Sequence, residues 1–140
     1  MAQLSLHPCA VHMTWLSEGP LTGGEWENTL CDFFTRLGNN CITAGGTLIG
    51  HIKGVATLAG SPCLQLSLVS LKQPVSIDGS LPDATNKLQM TLNVLVFGMS
   101  ADDVLSALHK TRNQIATLWQ GDIDFKWLPA EQEYSVALHD

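Results

Sequence analysis

Positive charge is scarce in this chain. Seven Lys and Arg stand against 13 Asp and Glu, a net charge of −6, and the basic residues are scattered from Arg36 to Lys126 with no three together. Such a chain does not bind nucleic acid by neutralising phosphates. No basic residue precedes Arg36, so the start of the sequence lacks the positive segment that leads a secretory signal. No uninterrupted apolar run approaches the roughly 18 residues of a membrane helix. The four cysteines, Cys9, Cys31, Cys41 and Cys63, include no C-x-x-C pair. They read as reduced, structural thiols. These absences predict a cytoplasmic protein that binds neither nucleic acid nor membrane and carries no cofactor.

What is present suits a compact domain. Of 140 residues, 45% are apolar and 14% charged, and a domain of this length can remove about two-thirds of its unfolded-chain surface from water. Neither a disulfide framework nor a metal is needed to hold such a core. No repeat or linker interrupts the chain. Residues 1–128 read as one domain and residues 129–140 as an acidic tail, in which Tyr134, Val136 and Leu138 alternate.

Two helices are marked by their starts. Thr22-Gly23-Gly24-Glu25 fits a capping box, in which hydroxyl and carboxylate each satisfy an orphan backbone N–H. Trp26, Leu30, Phe33, Phe34 and Leu37 follow at helical spacing. Gly38-Asn39-Asn40 offers residues that tolerate a left-handed stop, which predicts a helix over 24–37. Ser100-Ala101-Asp102-Asp103 repeats the starting signal. Its stripe is Val104, Leu105, Leu108, Ile115 and Leu118, and Gly121 ends it.

The strands show as alternation. Val11, Met13 and Trp15 lie in the first. Leu48, Ile52, Ala56 and Leu58 share one face of the second, opposite His51, Lys53 and Thr57. Leu64, Leu66 and Leu68 mark the third. Leu88, Met90, Leu92, Val94 and Val96 mark the fourth, and Ile123, Phe125 and Trp127 the last. The turn at Gly60-Ser61-Pro62 is tight enough to require an antiparallel hairpin. The predicted class is α+β: a ferredoxin-like sandwich, two helices packed on one face of a mostly antiparallel five-stranded sheet in the order β-α-β-β-β-α-β. The opposite face then presents His51, Lys53, Gln65, Ser67, Gln89, Thr91 and Asn93 among Ile49, Val55, Leu95 and Phe97.

Chemical motifs are sparse. Gly45 and Gly50 have the separation of a phosphate loop, but His51 stands where its Lys belongs and Ile52 where its hydroxyl belongs, inside a strand pattern. His7, Cys9 and His12 are the densest set of possible metal ligands. In an extended segment His7 and Cys9 face one way and His12 the other, so a tetrahedral site would need a bend and further ligands. No G-x-S-x-G occurs. Asp78 and Asp83 sit in turn-like contexts with Gly79 and Pro82, and Asp102 and Asp103 are explained by the helix start. His51 and Lys53 share one side of a strand bordered by Gly50 and Gly54. They admit two readings: glycines that let a helix approach, or an anion-binding or acid–base pair.

Lys53-Gly54 ahead of an apolar strand, and Leu95-Val96-Phe97-Gly98 leading to Asp102, Leu105 and Leu108, resemble the C-terminal accessory domain of CobW-type metal-chaperone GTPases. The resemblance covers about half the chain and does not extend to a GTPase domain or to that family's metal-binding cysteine motif. It implies a docking or ligand-handling module in metal or cofactor metabolism. The leading expectation is a non-enzymatic interaction module, a homo-oligomer or a subunit bound to a protein partner. Its surface is the mixed sheet face: His51, Lys53, Gln89, Asn93, Leu95 and Phe97. The alternative is a small-ligand or metal-binding protein, or a minor enzyme, centred on His51 and Lys53.

Overall fold

Both helices begin where their caps place them. A computed structural model describes residues 8–128; His7 and the tail at 129–140 lie outside them. Strand β1 (Cys9–Leu21) leads into α1 (Gly23–Thr43). Glu25 N–H donates to Thr22 Oγ1 at 3.1 Å, and Thr22 N–H donates to Glu25 Oε1 at 2.9 Å. Asp83 adds a third ligand to this helix start, accepting from Gly23 N–H at 2.9 Å. Four more strands follow, β2 (Leu48–Leu58), β3 (Ser61–Leu68), β4 (Ser76–Gly79) and β5 (Thr85–Phe97), then α2 (Ala101–Ala116) and β6 (Gly121–Trp127). Helix α2 starts with the reciprocal bonds of Ser100 and Asp103.

The fold is α+β with a six-stranded sheet in the order β4-β3-β2-β5-β1-β6, and every neighbouring pair is antiparallel. The sixth strand corrects the expectation of five. Ile77, Asp78 and Gly79, expected as a turn, lie in β4. All four residues of β4 are exposed, so no buried alternation betrays it.

Both helices lie on one face. Trp15 of β1 meets Phe33 and Trp26 of α1 and Trp119 after α2, with ring centroids 5.2, 6.5 and 5.5 Å away. Asn40 of α1 donates to Thr111 Oγ1 and Gln114 Oε1 of α2 at 2.9 and 3.0 Å. The core therefore forms between the helices and the row set Val11, Met13, Trp15, Ile52, Ala56, Leu64, Leu66, Leu88, Met90, Leu92 and Val94, all buried.

Three expectations about this core need correction. The first helix runs six residues past Leu37, because Gly38 serves contact rather than termination: a Cβ there would stand 2.7 Å from Leu68 Cδ2 and 3.0 Å from Leu71 Cδ2. Leu118 is 65% exposed, since α2 ends at Ala116 and Trp119 takes the inward position; Gly121 opens β6 instead of ending a helix. Ile49 is buried on the helix face while Leu48 is exposed. The cause is a bulge in β2: Ile49 pairs with Val96 but His51 with Leu95, leaving Gly50 as the extra residue. A bulge changes which side chains face which way without breaking the strand.

Candidate functional site

The bulge at Gly50 sets the site, because every residue after it resumes alternation with His51 on the face away from the helices. In an antiparallel sheet paired residues project to the same side. His51 is paired with Leu95, Lys53 with Asn93 and Ser67, and Val55 with Thr91 and Gln65. Leu48 is paired with Phe97 at the same end. His51, Lys53, Asn93, Leu95 and Phe97 thus come together on the open face as expected, with Val55 among them. Gln89 shares that face but lies beside Thr57 and Thr14, two residue pairs beyond Asn93. Ile49 does not belong to it.

The glycines of β2 serve opposite sides. A Cβ on Gly54 would lie 2.7 Å from Phe34 Cζ and 2.9 Å from Met90 Sδ, so this glycine admits α1 to the sheet. At Gly50 the close neighbours are the Leu95 carbonyl oxygen at 3.0 Å and its side chain at 3.2 Å. Leu95 therefore folds over the bulge beside His51.

His51 is half-buried. Desolvation, and then the neighbouring Lys53 ammonium, hold its imidazole below the ordinary value, so it is neutral at pH 7. Among the described residues neither the His51 nor the Lys53 side chain forms a hydrogen bond or ion pair. No carboxylate of the described residues orients the imidazole, a partner that an acid–base pair would ordinarily have.

Beside this pair the sheet forms a concavity of about 390 Å³ over β2, β3 and β4, lined by Lys53, Val55, Gln65, Ser67, Asp78 and Asn93 with Ser76 and Ile77 at its outer wall. Sequence reasoning placed Lys53, Gln65, Ser67 and Asn93 on this face but missed Ser76 and Asp78. The signal for them is weak, because a four-residue strand with no buried member reads as a turn.

The weak metal candidates are not brought together. Cys9 is buried on the helix side, near enough to Cys41 to perturb its thiol, whereas His12 pairs with Thr91 on the open side. His7 lies outside the described residues. Among those residues no group of three His, Cys, Asp or Glu has the proximity to share a metal ion. Cys41 is inert for another reason: burial, reinforced by Cys9, pushes its thiol up to about 12. Burial, followed by Glu27, raises Cys31 as well. No helix among the described residues is long and apolar enough to cross a membrane. Comparison with known proteins returns no matching family model, no matching curated protein and no matching solved structure.

Proposed function

We propose that the chain is a non-catalytic docking module that binds a second copy of itself through the open face of its sheet. The observation that carries this reading is the corner of the open face where Leu48, Leu95 and Phe97 lie beside His51 and Lys53: Leu48 is 59% exposed, and among the described residues neither α1 nor α2 lies on that side. Apolar side chains left at a surface beside polar ones are the usual composition of a contact patch. A second copy suits the charges. The open face carries Lys53 and Lys126 as well as Asp78, Asp122 and Asp124, so a two-fold axis can oppose unlike charges on identical patches.

The finer architecture belongs to the same proposal. The order β6-β1-β5-β2, with α1 after β1 and α2 after β5, supports a ferredoxin-like unit that β3 and β4 extend beyond β2. The residues that resemble the CobW-type accessory domain fall on β2 and on β5 running into α2. Their adjacency supports a module of that kind, acting in metal or cofactor metabolism. The small-ligand alternative draws support from the concavity beside Lys53.

Light scattering tests the docking reading. The native chain is expected at twice its 15.1 kDa mass. Phe97→Glu should reduce it to a monomer with unchanged circular dichroism, because an unpaired carboxylate in an apolar contact costs several kcal/mol to desolvate. Lys53→Ala should have a much smaller effect, since a rim charge contributes little affinity. A native monomer, or a Phe97→Glu variant that stays assembled, overturns the proposal.

A further inference from the structure

The concavity on β2, β3 and β4 divides its chemistry between two cross-strand rows. One cross-strand row on the open face reads Ser76, Ser67, Lys53, Asn93 from β4 to β5. Each of these side chains can donate a hydrogen bond, and Lys53 carries the positive charge. The next row reads Asp78, Gln65, Val55, Thr91. It sets a carboxylate and an amide at the outer side and an apolar residue at the centre. Among the described residues none of the polar side chains lining the concavity is hydrogen-bonded or ion-paired to another protein group. Their hydrogen-bonding capacity is free for a ligand seated on the open face.

We propose that this concavity binds a small zwitterion of dipeptide length, its carboxylate on Lys53, Ser67 and Asn93 and its ammonium on Asp78 and Gln65. The scale agrees. Lys53 and Asp78 stand two strands and two residues apart, about 12 Å between Cα atoms for strands about 4.8 Å apart. Side chains on one face stand roughly perpendicular to the sheet, so the charged ends stay near that separation, which an extended dipeptide at about 3.5 Å per residue spans with a polar contact of about 3 Å at each end. A volume of about 390 Å³ falls within the range of small-molecule sites. Val55 supplies the apolar floor for a side chain. A simple anion would leave Asp78 as a repulsive neighbour, and a simple cation would meet Lys53, so the opposed charges select a ligand bearing both.

Titration of ¹⁵N-labelled protein with L-alanyl-L-alanine tests the assignment. The expected result is a saturable set of amide shifts at Lys53, Gln65, Ser67, Ser76 and Asp78. N-acetylation of the dipeptide removes the ammonium and amidation of its terminus removes the carboxylate; each should weaken binding at least tenfold. Lys53→Met and Asp78→Asn should do the same with circular dichroism unchanged, since both side chains are exposed. Absence of saturable shifts up to the dipeptide's solubility limit overturns the proposal. So does binding that both blocked dipeptides and both variants retain. Phe97 lines no part of the concavity, so repeating the titration on Phe97→Glu separates failure of the site from failure of assembly.

Discussion

His51 is the residue at which local geometry meets solution conditions. The bulge at Gly50 turns its ring to the open face, Leu95 packs beside it, and Lys53 shares its side of β2. Its folded-state pKa is lowered, by desolvation first and by Lys53 second. Below the unfolded value of about 6.5 the unfolded chain binds the proton more readily than the folded one. The contribution of His51 to stability is therefore complete above that pH and is lost as the pH falls through it towards the folded value. Urea midpoints measured at about pH 7.5 and about pH 5.5 should drop on acidification by less in His51→Gln than in the native chain. Equal drops in the two proteins would mean that the ring is as accessible to protons folded as unfolded.

At the scale of elements, the last turn and a half of α1 decides how the helices are joined. Asn40 is 8% exposed, and its Nδ2 donates to both Thr111 and Gln114 of α2. Thr111 Oγ1 in turn donates to the Ala107 carbonyl at 2.7 Å. Asn40→Ala removes the donor from a buried network and should cost about 1–3 kcal/mol. Asn39→Ala loses only an exposed bond to the Thr35 carbonyl and should change stability by less than about 0.5 kcal/mol. Denaturation midpoints of the pair distinguish an interhelical clamp from a helix terminus, for which both changes would be equally mild. Gly38-Asn39-Asn40 carries a local signal for a stop, and a single sequence does not show that Leu68, Leu71 and α2 override it from a distance. Signals confined to a few residues were legible: both capping boxes, the alternation of β5 and the hairpin of β2 with β3. The Gly50 bulge was not, because an extra residue leaves composition unchanged while moving Ile49 and Leu48 to opposite faces. The candidate site divides the same way. His51, Lys53, Asn93, Leu95 and Phe97 follow from alternation along β2 and β5, whereas Ser76 and Asp78 depend on a strand that buries nothing.

For the whole molecule, the order of the strands makes β1 the last piece to gain its partners along the chain. It pairs with β5 on one side and β6 on the other, so each of its ladders joins segments far apart in sequence. Trp15 brings the same connection into the core, where it touches Trp26 of α1 and Trp119 beyond α2; Trp26 and Trp119 meet at 5.7 Å. Two indoles from the adjoining β1 and α1 and a third from beyond α2 close on one another only when β1 lies between β5 and β6 with α1 above it. Pairings of such long sequence separation incur their loop-closure entropy before contacts compensate it. A partly docked sheet would expose Trp15, Met13 and Val11 together, so few stable intermediates are available. Urea unfolding followed by tryptophan fluorescence and by far-ultraviolet circular dichroism should therefore give coincident transitions, the signature of a single cooperative unit. Refolding should fall in the slow range of sheet topologies, about milliseconds to seconds. Fluorescence lost at lower urea than ellipticity would show β1 and β6 leaving first while β2, β3 and β5 stay paired. In that case the aromatic cluster would close a sheet that can stand without it.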